Sequence, residues 1–100
     1  MIDKNEISDE IIDITNDILE KYEENFRISE LLISNTNIGY NFLGSIRVDN
    51  KDSIDPISKD LEDNLKKYGE VHFKYRLVKT CCNLPYDYIN FDIDYKLDVF

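Results

Sequence analysis

Few side chains in this sequence could act as nucleophiles, proton-transfer groups or soft metal ligands. There is one histidine, His72, and there are two adjacent cysteines, Cys81 and Cys82. A structural zinc site needs about four ligands, and its paired cysteines are usually separated by about two residues, so these residues do not supply one. A cysteine nucleophile with His72 as its base is also disfavoured, because roughly eight residues at ~3.3 Å each would separate them along a strand. We therefore predict no catalytic residue, no metal site and no cofactor.

The segment 49–60 is acidic enough to compare with a calcium-binding loop. Such a loop has glycine at its sixth position and a bidentate glutamate at its twelfth. Here those positions hold Ile54 and Asp60. The glycines Gly39, Gly44 and Gly69 are scattered, so no phosphate-binding loop is present either. We interpret the segment as a loop that leads into a helix cap.

A row of carboxylates along the first predicted helix is the strongest charged feature. Its members lie three or four residues apart, and they are Asp9, Asp13, Asp17, Glu20 and Glu24. Residues at these spacings share one helix face, where like charges repel by a few tenths of a kcal/mol per pair. Two interpretations stay open: a face that is only solvated, or a surface whose spaced carboxylates imitate phosphates and attract a basic partner.

Tyr86 and Tyr88 flank Asp87 beside the cysteines and are candidate exposed aromatics. Tyrosine is enriched at protein interfaces, which favours a contact with a partner. The alternative is that both rings cover one end of the core. Both residues are therefore candidate partner-binding residues.

The carboxylate row belongs to a helix that we predict over residues 7–25. Its apolar stripe repeats every three or four residues and consists of Ile7, Ile11, Ile14, Ile18 and Tyr22. Asn5 or Ser8 could cap its start. A second helix follows Asp55 as its cap, with Pro56 in its first position and Gly69 just past its end.

Four stretches are predicted as strands: 26–35, 40–49, 71–79 and 88–100. The last alternates apolar and polar residues without a break, as expected for a strand with one buried face. The first alternates poorly and is either buried on both sides or helical. Within the second, Gly44 indicates a bulge or the close approach of a helix.

The apolar faces of the last two strands are expected to align when the strands pair. One such register places Arg76 opposite Asp92 and Lys74 opposite Asp94, which predicts cross-strand ion pairs. We therefore interpret Asp92 and Asp94 as ordinary residues of the sheet surface.

The elements together predict one α+β domain over residues 1–100, in the order α-β-β-α-β-β. We expect a four-stranded, mainly antiparallel sheet with both helices packed on one face. No signal peptide or membrane span is recognisable, and the adjacent cysteines are expected to be reduced thiols, so a cytoplasmic location is predicted.

The net charge of −9 disfavours direct binding to nucleic acid and favours basic protein partners. Our leading hypothesis is a non-enzymatic acidic inhibitor, such as an immunity protein, an antitoxin or a phage anti-defence protein, that blocks the basic surface of a nucleic-acid-acting partner. The alternative is a self-associating module, a homodimer formed through its C-terminal strand at the sheet edge.

Overall fold

The computed structural model describes residues 3–78 and 86–97. It confirms the α+β class, the element order and the placement of two helices against one face of a four-stranded antiparallel sheet. The elements are α1 (Lys4–Lys21), β1 (Leu32–Asn35), β2 (Gly39–Val48), α2 (Ile54–Leu65), β3 (Glu70–Val78) and β4 (Tyr86–Lys96). Short 3₁₀ turns, Lys51–Ser53 and Lys66–Tyr68, extend α2 at its two ends.

The strand order across the sheet is β1-β2-β4-β3, and every neighbouring pair is antiparallel. The prediction that the final strand lies at the sheet edge is wrong, because β4 is hydrogen-bonded to β2 on one side and to β3 on the other. Among the strands that the structure describes, β1 and β3 form the edges. A dimer formed by pairing two copies of β4 is therefore not available to this fold.

The register between β3 and β4 also differs from the prediction. Asp92 pairs with His72 and Asp94 pairs with Glu70. The prediction paired them with Arg76 and Lys74, so each observed partner lies four positions earlier in β3 than expected. A shift by an even number leaves every apolar residue on the same face, so alternation determines the faces but not the register. The ladder reaches Tyr86, two residues before the predicted start of the strand.

The core lies between the helices and one face of the sheet. Its buried apolar residues are Ile7, Ile11, Ile18 and Leu19 from α1, Ile57, Leu61 and Leu65 from α2, and Phe42, Ile46, Val48, Ile89, Phe91 and Ile93 from the sheet. The helical members repeat every three or four residues and the strand members every two, as the sequence periodicity requires. We call this the inner face of the sheet, and the opposite one the outer face.

Gly44 is buried on the inner face beneath the ring of Phe91. A Cβ at this position would lie 2.5 Å from Phe91 Cζ and 2.9 Å from Leu31 Cδ2. The β2–β4 register runs without a break through Gly44, so there is no bulge, and the close neighbour is a ring from the adjacent strand rather than a helix. This glycine makes room for a core aromatic side chain.

The chain before β1 is neither a long strand nor a helix. Residues 26–31 are irregular, and Asn16 of α1 holds their backbone at Ile28. The Asn16 side chain donates to the carbonyl of Ile28 at 2.9 Å and accepts from its N–H at 2.9 Å. These two bonds satisfy the backbone groups of Ile28 that a sheet neighbour would otherwise satisfy. Residues 26–31 lie outside the sheet, so their side chains need not alternate.

Candidate interaction surface

Four of the predicted acidic residues form an exposed row on the outer side of α1. They are Asp9, Asp13, Asp17 and Glu20, and each is solvent-exposed. A spacing of four residues corresponds to about 6 Å along a helix, so the row extends over roughly 16 Å. Within residues 3–78 and 86–97, none of the four is in an ion pair. The negative charge of the row is therefore directed at solvent.

Lys21 is the base nearest this row in sequence, and it is paired elsewhere. Its Nζ lies 2.9 Å from Oδ2 of Asp60 in α2, and the hydroxyl of Tyr22 donates to the same oxygen at 2.7 Å. The bonds from Lys21 and Tyr22 stabilise the ionised carboxylate and hold the pKa of Asp60 below its ordinary value. This contact joins the end of α1 to α2, and within residues 3–78 and 86–97 no lysine is ion-paired with the acidic row.

Replacing Asp60 with asparagine is expected to lower the free energy of unfolding at neutral pH. It should also change how that free energy depends on pH. Folding lowers the pKa of Asp60 below its ordinary value of 3.8. The contribution of the ionised carboxylate to stability is therefore fully present above pH 3.8, and it is lost as the pH falls through the lower pKa of the folded state. The difference in unfolding free energy between wild type and Asp60→Asn should therefore narrow below about pH 4. Urea titrations at several pH values measure it.

Asp63→Asn is the matched control, since Asp63 is an exposed carboxylate on the same helix. At neutral pH, Asp63→Asn should lower the free energy of unfolding by less than Asp60→Asn does, because no hydrogen bond or ion pair to Asp63 is seen among the described residues. A difference for Asp60→Asn that stayed constant from neutral to acidic pH would contradict this role for the Asp60 contact.

Glu24 does not belong to the exposed row, and this part of the prediction is wrong. Helix α1 ends at Lys21, and Glu23 adopts a left-handed conformation with φ 58°. The N–H groups of Glu23 and Glu24 then donate to the carbonyls of Glu20 and Leu19, which is the Schellman arrangement. This reversal turns Glu24 inward, where it is only 5% exposed.

The buried carboxylate of Glu24 accepts a hydrogen bond from the Asp49 N–H at 2.8 Å. Glu24→Ala would leave that donor unsatisfied, so we expect a loss of about 1–3 kcal/mol in unfolding free energy. Glu24→Gln should lose less, because its amide oxygen can still accept. Chemical denaturation of both variants checks this order, and equal losses would show that the hydrogen bond is not the cause.

The helix start also differs from the prediction. Asp3, rather than Asn5 or Ser8, is the N-cap of α1, and its carboxylate accepts from the Asn5 N–H at 3.1 Å. Ser8 is buried inside the helix. An aspartate at this position also suits the positive end of the helix dipole.

Tyr88 is partly buried and lies on the outer face of the sheet, since its neighbour Ile89 is buried on the inner face. It lines a shallow cavity together with Phe26 and Arg47. The fold thus separates Tyr88 from the acidic row, because the sheet lies between the outer face and α1. The side chain of Tyr86 lies outside the described part of the structure, as do Cys81 and Cys82.

A further cluster on the outer face was missed by the sequence analysis. Nε2 of His72 lies 3.6 Å from Oδ2 of Asp94 and 3.8 Å from Oε1 of Glu70. The signal for this cluster is the β3–β4 register, which pairs Glu70 with Asp94 and was predicted incorrectly. The predicted register placed a lysine beside Asp94 and so indicated a neutralised surface.

No protein-family model, curated protein or solved structure matches this chain. Over the residues described, neither helix has the length and apolar character that a membrane crossing requires.

Proposed function

We propose that this protein is a non-enzymatic acidic inhibitor that acts in the cytoplasm by occupying the basic surface of a nucleic-acid-acting protein. Immunity proteins, antitoxins and phage anti-defence proteins are the classes that this mechanism suits. The observation that supports the proposal is the row formed by Asp9, Asp13, Asp17 and Glu20, four exposed carboxylates with no ion-pair partner among the described residues.

The row is presented by a rigid element. Helix α1 buries Ile7, Ile11 and Leu19 almost completely, and its last turn is held against α2 by the Lys21–Asp60 contact. The helix backbone that carries the carboxylates needs no ordering on binding, and the field of the row attracts a positively charged groove before contact. The proposed mechanism is thus electrostatic attraction followed by steric blockade of the groove where phosphates would lie.

Affinity capture from a cell lysate, compared between variants, tests the proposal. Asp13→Lys/Glu20→Lys alters the row, whereas Glu62→Lys/Asp63→Lys places the same charge change on exposed positions of α2. The expected partner is retained by wild type and by the α2 variant at ~0.1 M salt and is lost from the α1 variant. Retention should also fall at ~0.5 M salt, where the Debye length is about 4 Å.

A basic partner that acts on nucleic acid should in addition be released by an excess of duplex DNA, since both ligands would occupy one groove. A partner that binds both variants equally, or that is unaffected by salt and by DNA, would contradict the proposal. In that case the acidic row would be a solvated surface.

A further inference from the structure

The outer face of the sheet carries a histidine and two carboxylates at the free edge formed by β3. Their potential ligand atoms all lie within 4.8 Å of one another, and both carboxylates approach the same imidazole nitrogen, Nε2 of His72. Glu70 and His72 project from alternate positions of β3, and Asp94 lies on the neighbouring strand, directly opposite Glu70. Three chemically suitable groups therefore converge on one point from two hydrogen-bonded strands.

We propose that Glu70, His72 and Asp94 form a binding site for a divalent transition-metal ion. One imidazole and two carboxylates are ligands that Zn²⁺ and Mn²⁺ both accept, and two carboxylates balance the charge of the ion. Ligand atoms around a tetrahedral ion with bonds of about 2.1 Å lie roughly 3.4 Å apart, so the observed separations need only small side-chain movements. Water molecules complete the coordination.

The backbone around the cluster fixes its geometry. Gly69 precedes Glu70 with φ +153°, and a Cβ at this position would collide with the backbone carbonyl of Asp94. Only glycine allows the two strands to approach so closely at this point. This close approach holds the backbones of Glu70 and Asp94 at a defined separation. Their side chains therefore extend from fixed positions.

Asn41 of β2 orients the Asp94 carboxylate. Its side-chain amide donates to Oδ1 of Asp94 at 2.8 Å and to Oδ1 of Asp92 at 3.3 Å. With Oδ1 held by Asn41, Oδ2 is the oxygen directed at His72. Hydrogen bonds of this kind fix the orientation of ligands in metal sites. A cavity of about 300 Å³ lies beside the two carboxylates, and its lining includes Glu70, Asp94 and Lys96.

Metal titration of the untagged chain, followed by ¹H–¹⁵N NMR, tests the site. The sequence has one histidine, so its ring signals can be assigned to His72 without ambiguity. Zn²⁺ should shift the Nε2 resonance, and Mn²⁺ should broaden the amide signals of Glu70, His72 and Asp94 first. His72→Gln should weaken Zn²⁺ affinity by about 100-fold, and Asn41→Ala by about 10-fold, as is typical when a residue that orients a ligand is removed.

Asp13→Asn/Asp17→Asn is the matched control, because it removes two carboxylates from α1 and leaves the cluster unchanged; its Zn²⁺ affinity should equal that of wild type. Broadening centred on α1, or equal affinity in wild type and His72→Gln, would show unspecific binding by acidic side chains and overturn the proposal. Absence of Zn²⁺ binding at millimolar concentration would overturn it as well, and the cluster would then be only a surface contact between an imidazole and two carboxylates.

Discussion

Replacing Phe91 with alanine is expected to lower the free energy of unfolding by about 3–5 kcal/mol. The ring is 1% exposed and lies in the middle of the inner sheet face, over Gly44. Removal of the ring loses buried apolar surface and leaves a cavity that β2 and β3, the strands on either side of β4, cannot close. Since small domains are stable by only about 5–15 kcal/mol, urea unfolding monitored by circular dichroism should show a large shift of the midpoint.

The contact between Phe91 and Gly44 gives this prediction a stricter form. Gly44→Ala alone should cost about 1–3 kcal/mol, because its methyl group would overlap the ring and Leu31. In Gly44→Ala/Phe91→Ala the ring is absent, so the new methyl group no longer overlaps it. The loss measured for this double variant should therefore be smaller than the sum of the two single losses, by about 0.5–3 kcal/mol. Leu43→Ala, at a position that is 39% exposed on the outer face, is the control with a small effect. Strict additivity would show that the ring and Gly44 do not restrict each other.

Reversing two charges of the acidic row is expected to weaken partner binding by about 100-fold at ~0.1 M salt. An exposed ion pair contributes about 0.2–1 kcal/mol, and reversal replaces that attraction with repulsion, so Asp13→Lys/Glu20→Lys should lose about 2–3 kcal/mol. Most of the change should appear in the association rate and should shrink as salt is added. Surface plasmon resonance at several salt concentrations measures both quantities.

The folded state should tolerate this reversal. Both residues are exposed, and each substitution removes repulsion between acids three or four residues apart, so thermal unfolding should be unchanged or slightly higher. Glu62→Lys/Asp63→Lys controls for net charge, because each Asp or Glu to Lys change adds two units and both variants go from −9 to −5. Equal loss of affinity in the two variants would assign the effect to total charge rather than to α1.

The sequence predicted the type and order of the elements because their periodicities were long and regular. The alternation from Ile89 to Ile93 and the helical repeat from Ile7 to Ile18 are both reproduced in the buried core. Neither pattern specifies which strands are neighbours. The central place of β4 and its pairing of Glu70 with Asp94 arise from long-range packing, and an even shift in register keeps every apolar residue buried.

The acidic row was predicted only in part, because helical spacing shows which residues share a face but not where the helix ends. Asp9, Asp13, Asp17 and Glu20 followed from helical spacing alone and lie exposed on one face. Glu24 continued the spacing, but the helix had already ended through a left-handed glutamate, Glu23, in a position where glycine is the usual residue. Propensity therefore gave no sign of the helix end, and the buried bond from Asp49 to Glu24 is a tertiary contact.

The central position of β4 has a consequence for the order in which the fold can form during synthesis. The β1–β2 hairpin and both helices leave the ribosome before β4, yet β2 and β3 are connected in the described sheet only through that strand. Until β4 is available, the free edge of β2 and the apolar residues Phe42 and Ile46 lack their final partners. Closure of the sheet brings together residues such as Ile46 and Ile89, which are distant in sequence, and contacts of this kind form slowly. The nascent chain therefore depends on β4 to bury an edge of β2 that could otherwise pair with another chain.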